Sequence, residues 1–180
     1  MPSAIKPMEP AASFPKPPPL MVGLGEFTVS REPGAALCTG PLGAGLAVSI
    51  YDFEAVAGGV LHAFLPGSRL DRFRSEERPG IFVDTGLSAM LQALEKLGAV
   101  RGRCLVAVAG AGQIIDGGSD FDLGGQNRAA LESALAAHGL KIRAAEIEGH
   151  ANRALRLNIG NGEASVRTIP DEKEVILCRP

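Results

Sequence analysis

Tryptophan is absent and tyrosine occurs once, so the chain has little with which to stack nucleic-acid bases. Excess positive charge is missing as well: 18 Lys and Arg stand against 20 Asp and Glu, a net charge of −2. Without a basic field, neither nucleic acid nor an anionic membrane surface is an expected partner. No window approaches the roughly 18 consecutive apolar residues that a membrane-spanning helix needs, which argues against membrane insertion. Cysteine is sparse and odd in number (Cys38, Cys104, Cys178), with no CxxC pair. A disulfide framework and a zinc knuckle are thereby disfavoured, and free thiols in a reducing compartment are expected. The first residues also lack the apolar core of a secretory signal. A cytoplasmic protein is the expectation.

What is present is ordinary globular material. The 180 residues are 46% hydrophobic and 21% charged, which suits a single domain. Seven of the first twenty residues are proline, and residues 1–20 show no apolar periodicity. They are expected to form a disordered tail, with an SH3-type ligand as the alternative. Residues 21–180 are then the folded domain, long enough to bury roughly 70% of their unfolded surface.

Within that domain the pattern predicts mostly strands: Val22–Val29, Ala35–Thr39, Leu46–Asp52, Gly59–Leu65, Cys104–Ala109 and Lys141–Ile147. Two more, Arg153–Asn158 and Glu163–Thr168, flank Gly160-Asn161-Gly162, a hairpin signal. The charged stretch Arg69–Arg78 reads as an exposed loop. A helix is expected from Asp84, its carboxylate as N-cap, with Leu87, Met90, Leu91, Leu94 and Leu97 on one face and Gly98 as its stop. A second spans about Asn127–His138 and ends at Gly139. Strands outnumber helices, so the fold class is α+β, helices packed on a mixed or antiparallel sheet.

Two glycine-rich places invite a nucleotide reading and fail it. Gly23-Leu24-Gly25-Glu26 lacks the third glycine of the dinucleotide fingerprint, and Ala109-Gly110-Ala111-Gly112 is followed by no Gly-Lys-Ser/Thr. Both read as turns. No cofactor is expected. The histidines His62, His138 and His150 share no metal-ligand spacing, and no metal site is expected. His62 differs from the other two because it lies inside an apolar run, where a polar ring needs a partner or a task.

The chain around His62 carries an ordered series of pieces. They are Val22-Gly23-Leu24-Gly25-Glu26, Thr39-Gly40-Pro41-Leu42-Gly43, Tyr51-Asp52 and Gly58-Gly59-Val60-Leu61-His62-Ala63-Phe64-Leu65-Pro66. Val83-Asp84-Thr85, Gly110-Ala111-Gly112, Leu123-Gly124-Gly125-Gln126-Asn127 and Gly149 with Arg153 follow. In this order the series resembles the CheD family, the chemoreceptor glutamine deamidases of bacterial chemotaxis.

The resemblance implies a cysteine-hydrolase fold in which Cys, His and Thr carry deamidation. A thiolate attacks the glutamine carboxamide, His takes and returns the proton, ammonia leaves, and water releases glutamate. By position the His is His62 and the Thr is Thr39. The nucleophile position holds Gly45, because the family's Leu-Gly-Ser-Cys is Leu42-Gly43-Ala44-Gly45 here. Gln126 likewise replaces the arginine of the family's Ile-Gly-x-Arg-Asn. The expected role is a non-catalytic module that binds methyl-accepting chemoreceptors, a CheC-like phosphatase, or both. The alternative is an active deamidase in which Cys38 or Thr39 replaces the lost thiol beside His62. Strand geometry disfavours Cys38, since consecutive side chains point to opposite faces. A domain whose chemotaxis role has drifted altogether is the third possibility.

Overall fold

A computed structural model describes residues 18–113, 122–171 and 173–180. Among these, two five-stranded sheets form. The first holds β1 (Leu20–Val22), β3 (Ala36–Thr39), β8 (Asn152–Asn158), β9 (Ala164–Ile169) and β10 (Glu174–Cys178), in that spatial order. The second runs β2 (Glu26–Ser30), β5 (Ala57–Ala63), β4 (Leu46–Asp52), β6 (Leu105–Gly110), β7 (Ile142–Ile147). Both are mixed: β1 pairs parallel with β3 and β6 parallel with β7, and the other pairs are antiparallel. Helices α2 (Val83–Lys96) and α3 (Leu123–Ala137) cover the outer face of the second sheet. The architecture is therefore α+β in three layers, as the strand-rich pattern predicts.

Strand β4 shows why the second sheet lies in the middle. All seven of its residues are buried, and they alternate between two cores. Leu46, Val48 and Ile50 face the helices, whereas Ala47 and Tyr51 face the first sheet. A strand covered on both faces reads as a continuous apolar run. Small side chains on the inter-sheet side, Ala47, Ala107 and Ala109, let the sheets approach. The Tyr51 hydroxyl crosses the gap to donate to the Ile159 carbonyl at 2.8 Å. On α2, Leu87, Met90, Leu91 and Leu94 are buried at three- and four-residue steps. Each contributes about 1.5–3 kcal/mol by leaving water.

Several expectations need correction. The segment Val22–Val29 is two strands in different sheets, split by a turn in which Gly25 takes φ +76°. Arg69–Arg78 is not a loop but a 3-10 turn followed by α1 (Arg72–Glu77), whose first turn is capped by Asp71 accepting from the Arg74 amide at 2.9 Å. Asp84 is not an N-cap. Helix α2 starts one residue earlier, with Phe82 at the cap, and the Asp84 carboxylate instead accepts from the Ser68 amide and hydroxyl at 2.8–3.0 Å. Helix α3 begins at Leu123, before its expected start, because Asp122 caps it through the Gly125 amide at 2.8 Å. Strand β10 is an addition. The expected tail, residues 1–20, lies outside the described residues except for its last three, of which Leu20 opens β1.

Candidate functional site

Strands β3, β5, β6 and β7 end, and β4, β8 and α3 begin, at one edge of the sandwich. The loop from Gly40 to Gly45 crosses that edge and is tied on every side. The Leu42 amide donates to the Arg153 carbonyl at 2.9 Å, and the Gly43 amide to Asn152 Oδ1 at 3.1 Å. The Ala111 and Gly112 amides donate to the carbonyls of Gly45 and Gly43 at 2.8 and 3.0 Å. This last pair depends on a turn with positive φ at Gly110 (105°) and Ala111 (52°). A β-carbon on Gly110 would lie 2.5 Å from the Gly45 oxygen, so only glycine allows the approach.

His62 and Thr39 enter the same inter-sheet layer from opposite sides. Leu61 and Ala63 belong to the helix-side core and Val60 to the inter-sheet core, which places His62 with Val60. Leu37 belongs to the inter-sheet core too, and Thr39 shares its parity on β3. Both polar residues are buried, His62 at 4% exposure and Thr39 at 3%. The Thr39 hydroxyl oxygen accepts from the Leu155 amide at 3.0 Å, completing the β3–β8 ladder where its main-chain pairing stops. Neither His62 nitrogen forms a hydrogen bond among the described residues. Burial lowers the ring's pKa below the ordinary imidazole value. The Val22 backbone opposes that shift in part. Burial thus disfavours the protonated ring, and neither nitrogen has a hydrogen-bond partner among the described residues.

Gly45 sits at the rim of this layer with no room for a side chain. A β-carbon there would lie 2.8 Å from the Ala63 oxygen, 3.0 Å from the Leu42 oxygen and 3.6 Å from the Phe64 ring. Cys38 alternates on β3 with Leu37 of the inter-sheet core and lines a groove of about 230 Å³ with Thr39, Met21, Arg156, Arg167 and Glu174. Burial raises its thiol pKa, against the lowering fields of Arg156 and Arg167. Cys104 is pushed up to about 11 by burial and then by Asp52. Burial raises Cys178 too. Among the described residues no cluster of His, Cys, Asp and Glu could hold a metal ion.

Two buried residues position the site although composition and spacing assign them no role. Asn127 on α3 is fully buried and donates from Nδ2 to the carbonyls of Ala44 at 3.1 Å and Phe64 at 2.9 Å. It binds the loop from Gly40 to Gly45 to the end of the His62 strand. Gly124 lets α3 come this close, since a β-carbon there would lie 2.5 Å from the Ala111 oxygen. Arg153 is buried as well, its Nη1 donating to the carbonyls of Glu148 and Ala151 at 2.8 and 3.1 Å. The signal for both is a polar residue among the first residues of an element, shortly after a glycine.

Comparison with known proteins places this arrangement. Residues 64–168 match the family model described as CheD chemotactic sensory transduction, more than half of the chain. The chain belongs to the CheD family. A probable chemoreceptor glutamine deamidase CheD of Solibacter usitatus is 33% identical over 161 residues, 89% of this chain and 95% of that protein. A second, from Syntrophus aciditrophicus, is 34% identical over 83% of this chain and 93% of its own length. The chemoreceptor glutamine deamidase CheD of Thermotoga maritima is 29% identical, covering 83% and 91%. The family-model match begins after His62, whereas the 161-residue match to the Solibacter CheD is too long to leave out Thr39, Gly45 and His62.

Proposed function

We propose that this chain is a CheD-family chemotaxis protein that binds its partners without deamidating them. The reading rests on position 45. Glycine offers no nucleophile, and the main-chain oxygens of Ala63 and Leu42 occupy the space in which a side chain would start. Buried His62, whose protonated form burial disfavours, has no hydrogen-bonded thiol among the described residues. Cys38 alternates on β3 with Leu37 of the inter-sheet core, which turns its side chain away from His62, and no hydrogen bond links the Thr39 hydroxyl to the His62 ring. General-base activation needs nucleophile and base within hydrogen-bond reach, so neither substitute meets the requirement.

The partners proposed are methyl-accepting chemoreceptors, by analogy with the relatives, which are chemoreceptor glutamine deamidases, and a CheC-like phosphatase. The decisive assay incubates the protein with a helical cytoplasmic receptor fragment and reads glutamine-to-glutamate conversion by mass spectrometry alongside binding by calorimetry. Binding without conversion is the expected result. Conversion by the unaltered chain overturns the reading.

A further inference from the structure

We propose that the first sheet carries a binding site for a small organic acid, in the groove of about 230 Å³ beside Cys38. Alternation along the strands builds it. Leu37 on β3, Leu155 and Leu157 on β8 and Val166 on β9 belong to the inter-sheet core, so Cys38, Arg156 and Arg167 turn the other way. The strand register sets them side by side. Cys38 stands between Met21 on β1 and Arg156 on β8, and Arg167 stands between Ala154 on β8 and Glu174 on β10. Cys38 and Ala154 are short side chains among long ones. A hollow is the result, with Met21 and Pro19 as its apolar wall and the two arginines across from them.

The charges in the lining fix the sign of the ligand. Two guanidinium groups meet one carboxylate, Glu174, which leaves the lining with an excess of one positive charge. All three act at the Cys38 thiol: burial raises its pKa most, Arg156 and Arg167 lower it, and Glu174 raises it. Glu174 is placed opposite Arg167, where a cross-strand ion pair would form. Its carboxylate instead accepts from the Ser165 hydroxyl at 2.6 Å, and neither arginine is in an ion pair among the described residues. Arg156 donates from Nε to Asn158 Oδ1 at 3.1 Å, a bond that does not use its two terminal nitrogens.

Shape and charge together name the ligand class. Arg156 and Arg167 are diagonal neighbours on β8 and β9, about 7–8 Å apart at the main chain, a span over which both side chains reach one carboxylate. Paired guanidinium donors suit the two oxygens of a carboxylate. A single excess charge balances a monocarboxylate, whereas a phosphate dianion would leave charge over. The apolar wall of Met21 and Pro19 suits a short hydrocarbon body.

The test uses the thiol as its reporter. Iodoacetate and iodoacetamide both alkylate a thiolate, the sulfur displacing iodide, and only iodoacetate brings a carboxylate. Peptide mapping gives the ratio of the two rates at each cysteine. That ratio should be at least about threefold higher at Cys38 than at Cys104, whose surroundings mix Asp52 and Glu95 with Arg101 and Arg103. The preference should shrink with added salt and vanish in the double variant Arg156→Gln, Arg167→Gln. In the unaltered protein, millimolar benzoate should protect Cys38 from iodoacetamide and leave Cys104 unaffected, a result that needs no variant to fold. Equal ratios at Cys38 and Cys104 would overturn the site. Survival of the preference in the double variant would remove the arginines from it, and protection by inorganic phosphate but not by benzoate would overturn the organic acid.

Discussion

The main-chain oxygen of Ala63 lies 2.8 Å from the point that a β-carbon on Gly45 would occupy. The contact is to backbone, at the end of a strand that is hydrogen-bonded on both sides, and it cannot rotate away. Forcing even one methyl group into such a place costs about 1–3 kcal/mol. Gly45→Ala is therefore expected to lower the unfolding free energy by about that much in a urea titration. Gly102→Ala, where nothing lies within 4 Å of the added carbon, provides the control. Gly45→Cys should carry the same penalty and restore no deamidation by itself. Equal stability of the two alanine variants would show that the loop yields easily.

Asn127 should matter as much as any apolar core residue. Truncation to alanine leaves the Ala44 and Phe64 carbonyls without their buried donor. Unmet buried polar groups cost about 1–3 kcal/mol each, so Asn127→Ala should lose about 2–4 kcal/mol. Asn127→Asp should be at least as damaging, because one carboxylate oxygen would then face two carbonyl oxygens. A loss below about 0.5 kcal/mol for the alanine variant would mean that the clamp is dispensable.

How far the residues announce this architecture depends on the range of the forces involved. Strand β4 is readable to the residue, because a strand buried on both faces shows as a near-continuous apolar run, here interrupted only by Ser49 before the terminal Asp52. The turn that sends β1 and β2 to different sheets is not, since their partners, β3 and β5, come later in the chain. Helix α1 is hidden among charges because one local capping bond holds it and no apolar stripe does. His62 and Thr39 can be picked out from the family-like order of the pieces around them. The role of Asn127 cannot, because its acceptors lie 83 and 63 residues away in sequence.

His62 makes stability depend on pH in a fixed direction. Its folded pKa is lowered by burial, while the unfolded value is near 6.5. Between the two values the unfolded chain binds more protons than the folded one, so stability rises with pH across that window. Acidification from about pH 6.5 should therefore destabilise the protein, with a slope from this group of at most about 1.4 kcal/mol per pH unit. His62→Gln should remove that slope. Parallel profiles for the two proteins would show that the ring titrates alike in both states.

The three thiols provide a direct check on the substitute-nucleophile alternative. A catalytic cysteine has a lowered pKa and reacts fast with alkylating agents near neutrality. Here burial raises Cys38 and Cys178 and pushes Cys104 up to about 11, so the thiolate fraction at neutral pH is small at each. Iodoacetamide at pH 7.5 should modify all three more slowly than it modifies glutathione, and His62→Gln should leave the rates unchanged. Peptide mapping by mass spectrometry resolves the sites. Rapid labelling of Cys38 that slows when His62 is replaced would join the two in a working pair and return the chain to the deamidases.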